Sequence, residues 1–223
     1  GGSGGCGGST VELALEYVQA RGLSDLSEVP YKAEDQECQD SAALVSRGNS
    51  EVRRHGAHGS NEDDVGLKGL TGYQTLPENE AEPLMRALLQ GPVAVSVGAS
   101  GWMIYKEGIF DNCERDVVVN HAVTLVGYGE EKGKAKYWNI QNSWGSNWGE
   151  GGRIRIFRHN TPEEESAYCG IDGHPEDGVS CKPYPTQVTV CGMCGILYDS
   201  VEPHFQTARG SATSFRGSAS SAK

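Results

Sequence analysis

Apolar positions near the start of the chain recur with a helical period. Val11, Leu15 and Val18 fall on one face, with Ala14 beside them. Ser9-Thr10-Val11-Glu12 has the S-x-x-E spacing of a capping box, and Gly22 stands where a helix C-terminal cap belongs. Together they predict a helix over about 10–21, preceded by the flexible loop GGSGGCGG at 1–8. Residues 24–75 are polar with few apolar runs. They read as a solvated loop that carries His55, His58 and the run Glu62-Asp63-Asp64. A second helix is predicted at about 80–90, with Pro83 tolerated near its start and Gly91-Pro92 ending it.

From Val93 the period shortens to two. Val93–Val97, His121–Val126, Tyr137–Ile140 and Arg153–Phe157 alternate as half-buried strands do, and Gly195–Tyr198 reads as a last strand. Residues 160–190 interrupt this pattern with a polar, Pro-containing stretch and the acidic run Glu163-Glu164-Glu165. Beyond about 206 the Ser/Ala/Gly-rich tail is expected to be disordered.

Composition narrows the classes. The 223 residues allow one or two domains with a sizeable core. Nineteen Lys+Arg against 30 Asp+Glu give a net charge of −11, which argues against a nucleic-acid partner and against attraction to anionic membrane surfaces. No window approaches the roughly 18 apolar residues that span a bilayer. The seven cysteines are spread along the chain, as in a disulfide framework from an oxidising compartment. Their odd number points to a partner outside the chain. Cys191-Gly-Met-Cys194 is a lone C-x-x-C without a second ligand pair, so no metal site is expected. The chain begins at Gly1 without a visible signal peptide, which reads as a mature or truncated fragment.

The chemistry concentrates in three segments: Gly5-Cys6-Gly7-Gly8; Asn120-His121-Ala122-Val123 leading to Val126-Gly127-Tyr128-Gly129; and Gln141-Asn142-Ser143-Trp144-Gly145 with Asn147-Trp148-Gly149-Glu150. His121 opens one alternating strand and Asn142 closes the next. If those strands pair antiparallel, both residues lie at the same end. The Asn carbonyl can then accept from the imidazole and fix its tautomer, and Trp144 can cover the bond against water. A positioned His with an amide orienter is two thirds of a nucleophilic triad. Taken alone, His121 reads as a satisfied strand-end histidine and NSWG as a turn; together they resist a packing explanation.

These segments resemble the papain family of cysteine peptidases, the group that includes the cathepsins. The resemblance is carried by Gly91-Pro92-Val93, Tyr105–Phe110, Cys113, Asn120–Val123, Tyr137-Trp138, Asn142–Glu150, Arg155-Ile156 and Cys194-Gly195-Ile196. It implies an α+β, papain-like two-domain fold. Residues 1–90 would be the remainder of an incomplete helical left domain with its crossover. Residues 91–205 would be a β-barrel-like right domain with an insertion at about 160–190, and 206–223 a tail. It implies His121 as catalytic base and Asn142 as its orienting amide. Trp144 would shield the pair and Trp148 would shape the leaving-group side. Gly8, Ser9, Asn120 and Asp199 would contact substrate. Ser9 stands where the family has a glycine. Asp199, sixth from Cys194, would lie at the floor of the main specificity pocket; counting from Cys169 would put His174 there instead. Cys113 is expected to pair with Cys194 rather than Cys169, and Cys181 with Cys191, leaving Cys169 unassigned.

The family nucleophile sits in a C-G-S-C-W segment with an upstream Gln, and the 223 residues contain neither. Cys6 resembles a structural cysteine of the family, and Cys38 likewise. The expectation is therefore a cysteine endopeptidase acting on protein or peptide substrates without cofactor, lysosomal, vacuolar or secreted. Its nucleophile would be carried on a missing N-terminal segment, and this fragment alone would be inactive. The rival is a non-catalytic papain-like homologue that acts as a binding or inhibitory protein.

Overall fold

A computed structural model of the chain describes residues 8–21, 30, 70–178 and 183–205. The predictions for Cys6, Gly22, Cys38, His55, His58, Glu62–Asp64, Cys181 and the tail lie outside the described residues.

Helix α1 spans Val11–Arg21. Its cap is one residue later than the S-x-x-E spacing suggests. Thr10, not Ser9, accepts the Leu13 N–H on its Oγ1 at 3.4 Å, and the Thr10 carbonyl takes the first helical bond from Ala14 at 3.1 Å. Val11, Leu15 and Val18 are half-buried together with Glu12, while Leu13, Ala14 and Tyr17 face solvent. Helix α2, Ala81–Ala87, buries Ala81, Leu84 and Ala87 at i, i+3 and i+6.

Seven strands form one sheet in the order β1-β9-β2-β4-β5-β6-β3. They are β1 (Leu70–Thr75), β2 (Val93–Val97), β3 (Ile109–Phe110), β4 (His121–Glu131), β5 (Ala135–Gln141), β6 (Arg153–Arg158) and β9 (Ser200–Phe205). Among the described residues the sheet is open, with β1 and β3 as its edges, so the barrel-like right domain takes the form of an unclosed sheet. The pleat buries Val93, Val95, Val97, Val123, Leu125, Trp138, Ile140, Ile154 and Ile156 on one side. At about 1.5–3 kcal/mol for each fully buried aliphatic side chain, this face is the main stabilising term for the sheet.

Three sequence expectations change. Leu70–Thr75, read as loop, pairs with β9 as an edge strand; β-pairing there is set by a partner 130 residues away, which no local pattern reveals. β4 runs on to Glu131 because Gly127 and Gly129 stay in the ladder with β5. A Cβ at Gly129 would sit 2.6 Å from the Tyr137 hydroxyl that crosses it. The last strand is not Gly195–Tyr198. Positive φ at Gly192, Cys194 and Gly195 folds that segment into a short helical turn, and the strand begins at Ser200.

Residues 160–178 and 183–191 carry regular elements where the sequence reads as a polar insertion. Thr161 caps helix α3 (Pro162–Ala167) through the Glu164 N–H. Strands β7 (Cys169–Asp172) and β8 (Val188–Cys191) form a second, two-stranded sheet. Cys113 bonds Cys194 and Cys169 bonds Cys191. The expected Cys181–Cys191 pairing is therefore wrong: β7 and β8 put Cys169 directly opposite Cys191, with Cα atoms 4.0 Å apart. Both sulfurs of the C-x-x-C are in disulfides and offer no thiolate to a metal.

Candidate active site

The site stands at one end of the β4–β5 pair. Thr124 lies opposite Gln141, so the start of β4 and the residue after β5 come together. His121 Nε2 and Asn142 Oδ1 are 2.9 Å apart. The Ser143 N–H also donates to Oδ1, at 2.8 Å, which sets the amide orientation. Oδ1 is then an acceptor, so His121 carries a proton on Nε2, and Nδ1 is the nitrogen left to exchange a proton. Asn142 is 6% exposed, so this polar contact is largely screened from water.

Aromatic rings build the surroundings. Trp144 lies 5.2 Å from the His121 ring at a tilt of 35° and remains 38% exposed. Trp148 meets Trp144 edge-on at 5.0 Å, and its Nε1–H donates to the Trp102 carbonyl at 3.1 Å. Trp102 is fully buried and presents an edge to His121 from 6.3 Å. Sequence reading passed over Trp102. The only signal for it was a large aromatic residue following Ser100-Gly101, directly after the β2 strand.

The loop from Asn142 to Gly152 is pinned at both ends. Asn142 N–H donates to the Gly152 carbonyl, and Gln141 Nε2 donates to the Asn142 and Gly152 carbonyls. Gly149 has φ +54, and a Cβ there would sit 2.4 Å from the Arg153 carbonyl, so this turn needs glycine. Glu150 forms a two-point fork with Arg155 at 2.6 and 2.8 Å and accepts from the Gly108 N–H. The Arg155 guanidinium holds the Glu150 carboxyl below its usual range.

The other predicted residues fall on several separate elements. Gly8 and Ser9 are exposed at the N-terminal end of α1. Asn120 is exposed, with its N–H bonded to the Val97 carbonyl. Asp199 lies just before β9 and is tied to β2. Ser96 donates its hydroxyl to Asp199 Oδ2 at 2.5 Å and its N–H to the Asp199 carbonyl at 2.9 Å. His174, the alternative pocket residue, is on the surface with its side chain 69% exposed.

A model of the papain family cysteine proteases matches residues 1–177. The chain belongs to the papain family of cysteine proteases. Among its relatives are a KDEL-tailed cysteine endopeptidase of Arabidopsis thaliana, 34% identical over 171 residues, and the vignain of Phaseolus vulgaris, 32% identical over 171. Each alignment takes in 75% of this chain and 40% and 41% of the relative, so the chain spans about two fifths of the length of these papain-family proteins. Similar solved structures include bromelain from Ananas comosus bound to the inhibitor E64. The match is 28% identical, with TM-score 0.58, over 87% of this chain and 69% of that one. A cysteine protease of Carica candamarcensis matches with 28% identity and TM-score 0.58 over 91% and 72%.

Proposed function

We propose that the whole protein is a cysteine-type endopeptidase in which His121 and Asn142 form the imidazole–amide part of the catalytic group. The observation that carries this reading is the His121 Nε2–Asn142 Oδ1 bond beneath Trp144, which leaves Nδ1 without a partner among the described residues and able to pair with a thiol. The family's C-G-S-C-W segment does not occur in the 223 residues, so the thiolate is supplied by a cysteine other than those placed here.

The reaction needs two proton movements at one nitrogen. With the thiol ionised, His121 Nδ1 carries its proton. The thiolate attacks the scissile carbonyl carbon, and Nδ1 passes its proton to the departing amine as the C–N bond breaks. The acyl-enzyme remains. Nδ1, now unprotonated, takes a proton from an incoming water as its oxygen bonds the acyl carbon; the C–S bond then breaks, releasing the carboxylic acid and restoring the thiolate beside the protonated imidazole. Asn142 keeps the ring aimed through both steps, and Trp144 keeps water off the Nε2 side. Trp148 would border the leaving-group side.

By family register the substrate runs extended past Gly8, Ser9 and Asn120. Asp199 is read as the floor of the pocket for the side chain two residues before the scissile bond. A carboxylate there pairs with a guanidinium, so Arg is accepted beside Leu or Phe. The two disulfides support an oxidising compartment, vacuolar, lysosomal or secreted.

The test is peptide hydrolysis by the whole protein, with and without a thiol-alkylating epoxide, and again after His121→Ala. The reading predicts turnover that the epoxide abolishes and the variant lacks. Turnover insensitive to both would overturn it. The 223 residues alone should show none; epoxide-sensitive turnover by them would transfer the nucleophile to Cys6.

A further inference from the structure

β4 begins at His121 itself, so the chain entering the imidazole has no strand directly behind it. Asn120 is tied to β2 by its N–H, which donates to the Val97 carbonyl at 3.1 Å. Residues 111–120 belong to no helix or strand. Val119 is nonetheless fully buried, and a buried N–H outside any ladder needs an acceptor. The acceptor is a carboxylate: Val119 N–H donates to Asp172 Oδ2 at 3.0 Å. Asp172 ends β7, is 1% exposed, and takes the His174 N–H on Oδ1 at 2.9 Å. Burying a carboxylate is costly unless charge-assisted bonds of this kind satisfy it. No step of the peptidase reaction uses this one.

That bond is one half of a clasp. Asp116 Oδ1 in turn accepts the Ile171 N–H at 2.8 Å, so each segment gives the other a carboxylate. The Arg115 guanidinium lies over the Tyr168 ring at 4.5 Å. Glycines bring the backbones together with no side chain between them. A Cβ at Gly178 would come 2.0 Å from the Val119 carbonyl oxygen, and one at Gly170 would come 1.9 Å from that of Arg115. At Gly98, just past β2, a Cβ would come 2.0 Å from Val117 Cγ2 and 2.9 Å from the Val118 carbonyl oxygen. The strand that carries Asp172 is itself anchored. β7 pairs with β8, and the Cys169–Cys191 disulfide joins the two. Asn79 then bonds β8 through the Thr189 carbonyl and the Cys191 N–H.

We propose that Asp172 is a positioning residue for His121: through the Val119 N–H it fixes where the chain enters β4, and so where the imidazole stands. Only Asn120 lies between Val119 and His121. Each peptide unit is planar, so a tilt at Val119 is passed to His121 through a single residue. Asn142 aims the ring from its Nε2 side, while Asp172 sets the backbone that carries the ring. Proton transfer tolerates little displacement, and about 1 Å can cost about 100-fold in rate. The stretch at 160–190 thereby serves the site, although its composition reads as a polar insertion. The effect on rate rests on the proposed peptidase function; the effect on the position of His121 does not.

The experiment takes two readouts on the whole protein. The variants are Asp172→Ala, Asp172→Asn and Gly178→Ala, with His159→Ala as a control that loosens α3 without touching Val119. The first readout is the His121 Nε2–H proton in NMR, identified by its loss in His121→Ala. Bonded to Asn142, it should exchange slowly with water in the wild type and in the control. In Asp172→Ala and Gly178→Ala it should exchange at least about tenfold faster. Asp172→Asn keeps one acceptor oxygen and should fall between, and it decides the matter if the alanine variant does not fold. The second readout is steady-state kinetics. In Asp172→Ala and Gly178→Ala, kcat should fall about 10–100-fold with KM within about twofold, while the control keeps its kcat per folded molecule. Nε2–H exchange unchanged in both Asp172 variants would overturn the proposal. An equal acceleration in His159→Ala would overturn it too, since general loosening of the fold would then explain the effect. A whole protein without peptidase activity would refute the proposed function, and the NMR comparison would still decide the role of Asp172.

Discussion

His121 and His159 each stand at the end of a sheet strand, and each bonds a single oxygen acceptor. His121 meets the neutral amide of Asn142 at 2.9 Å, and His159 meets the carboxylate of Glu165 at 2.6 Å. The surroundings differ more than the distances. His121 lies under a half-exposed Trp144, and nothing among the described residues bonds its Nδ1. His159 is packed between Phe157 and Tyr168, and its acceptor is fully buried. Glu165 also takes the Trp138 Nε1–H at 2.9 Å and the His159 backbone N–H at 2.6 Å. It therefore ties α3, β5 and the end of β6 together. An amide orients an imidazole without fixing its charge, which leaves the ring able to take and release a proton. A buried carboxylate that serves several donors spends its lone pairs on the fold. The two regions teach that a His–acceptor pair is chemical only where one ring nitrogen is left over and reachable.

The sharpest way to break this contrast is to remove each imidazole. In the whole protein, His121→Ala should lower kcat/KM by about 10³–10⁴-fold, with the melting temperature nearly unchanged. His159→Ala should do the reverse, lowering stability and sparing the rate per folded molecule. Steady-state kinetics beside thermal denaturation separate the two. An exchange of phenotypes would refute the assignment.

Next in size is Glu165→Ala, which leaves the buried Trp138 donor and the half-buried His159 donors without their acceptor. Urea denaturation should show a loss of about 3 kcal/mol. Asn142→Ala is expected to be milder than His121→Ala, costing about 10–100-fold in rate, because the imidazole loses orientation but remains. If the two catalytic variants are equal, Asn142 does more than orient.

The smallest effect is the pH dependence carried by Asp199. Its folded-state value of about 6 exceeds the unfolded value of about 3.9. Between these the native state binds more protons, so stability falls as pH rises from about 4 to 6. Asp199→Asn should abolish that decline and raise stability at pH 7 by about 1–2 kcal/mol, after allowance for its partial exposure. Denaturation midpoints at pH 4, 5, 6 and 7 in both proteins provide the check.

Much of this was legible along the chain. The alternation from Val93 to Phe157 announced the central strands, and the order NHAV then NSWG already pairs His121 with Asn142 at one strand end. What escaped depended on distant partners. Leu70–Thr75 looks like loop because its strand character comes from pairing with β9. Ser96 looks like one more position in a valine strand, and only Asp199, 103 residues on, explains a hydroxyl there. Glu165 sits in the run Glu163-Glu164-Glu165, whose composition reads as solvated. The helix phase turns that one carboxyl inward and leaves its neighbours in water. The Cys181–Cys191 expectation failed for the same reason, since β7–β8 register, not spacing, chose Cys169.

The most direct test of the account is the pH profile of thiol alkylation in the whole protein, wild type against His121→Ala. An imidazolium beside the thiol keeps the thiolate populated well below its free pKa of about 8.5, with apparent values of about 3.5–7.5. Rapid, activity-abolishing alkylation by iodoacetamide is expected at about pH 5–6 in the wild type. In His121→Ala that reactivity should disappear below about pH 8. An alkylation profile that does not change on removal of His121 would contradict it.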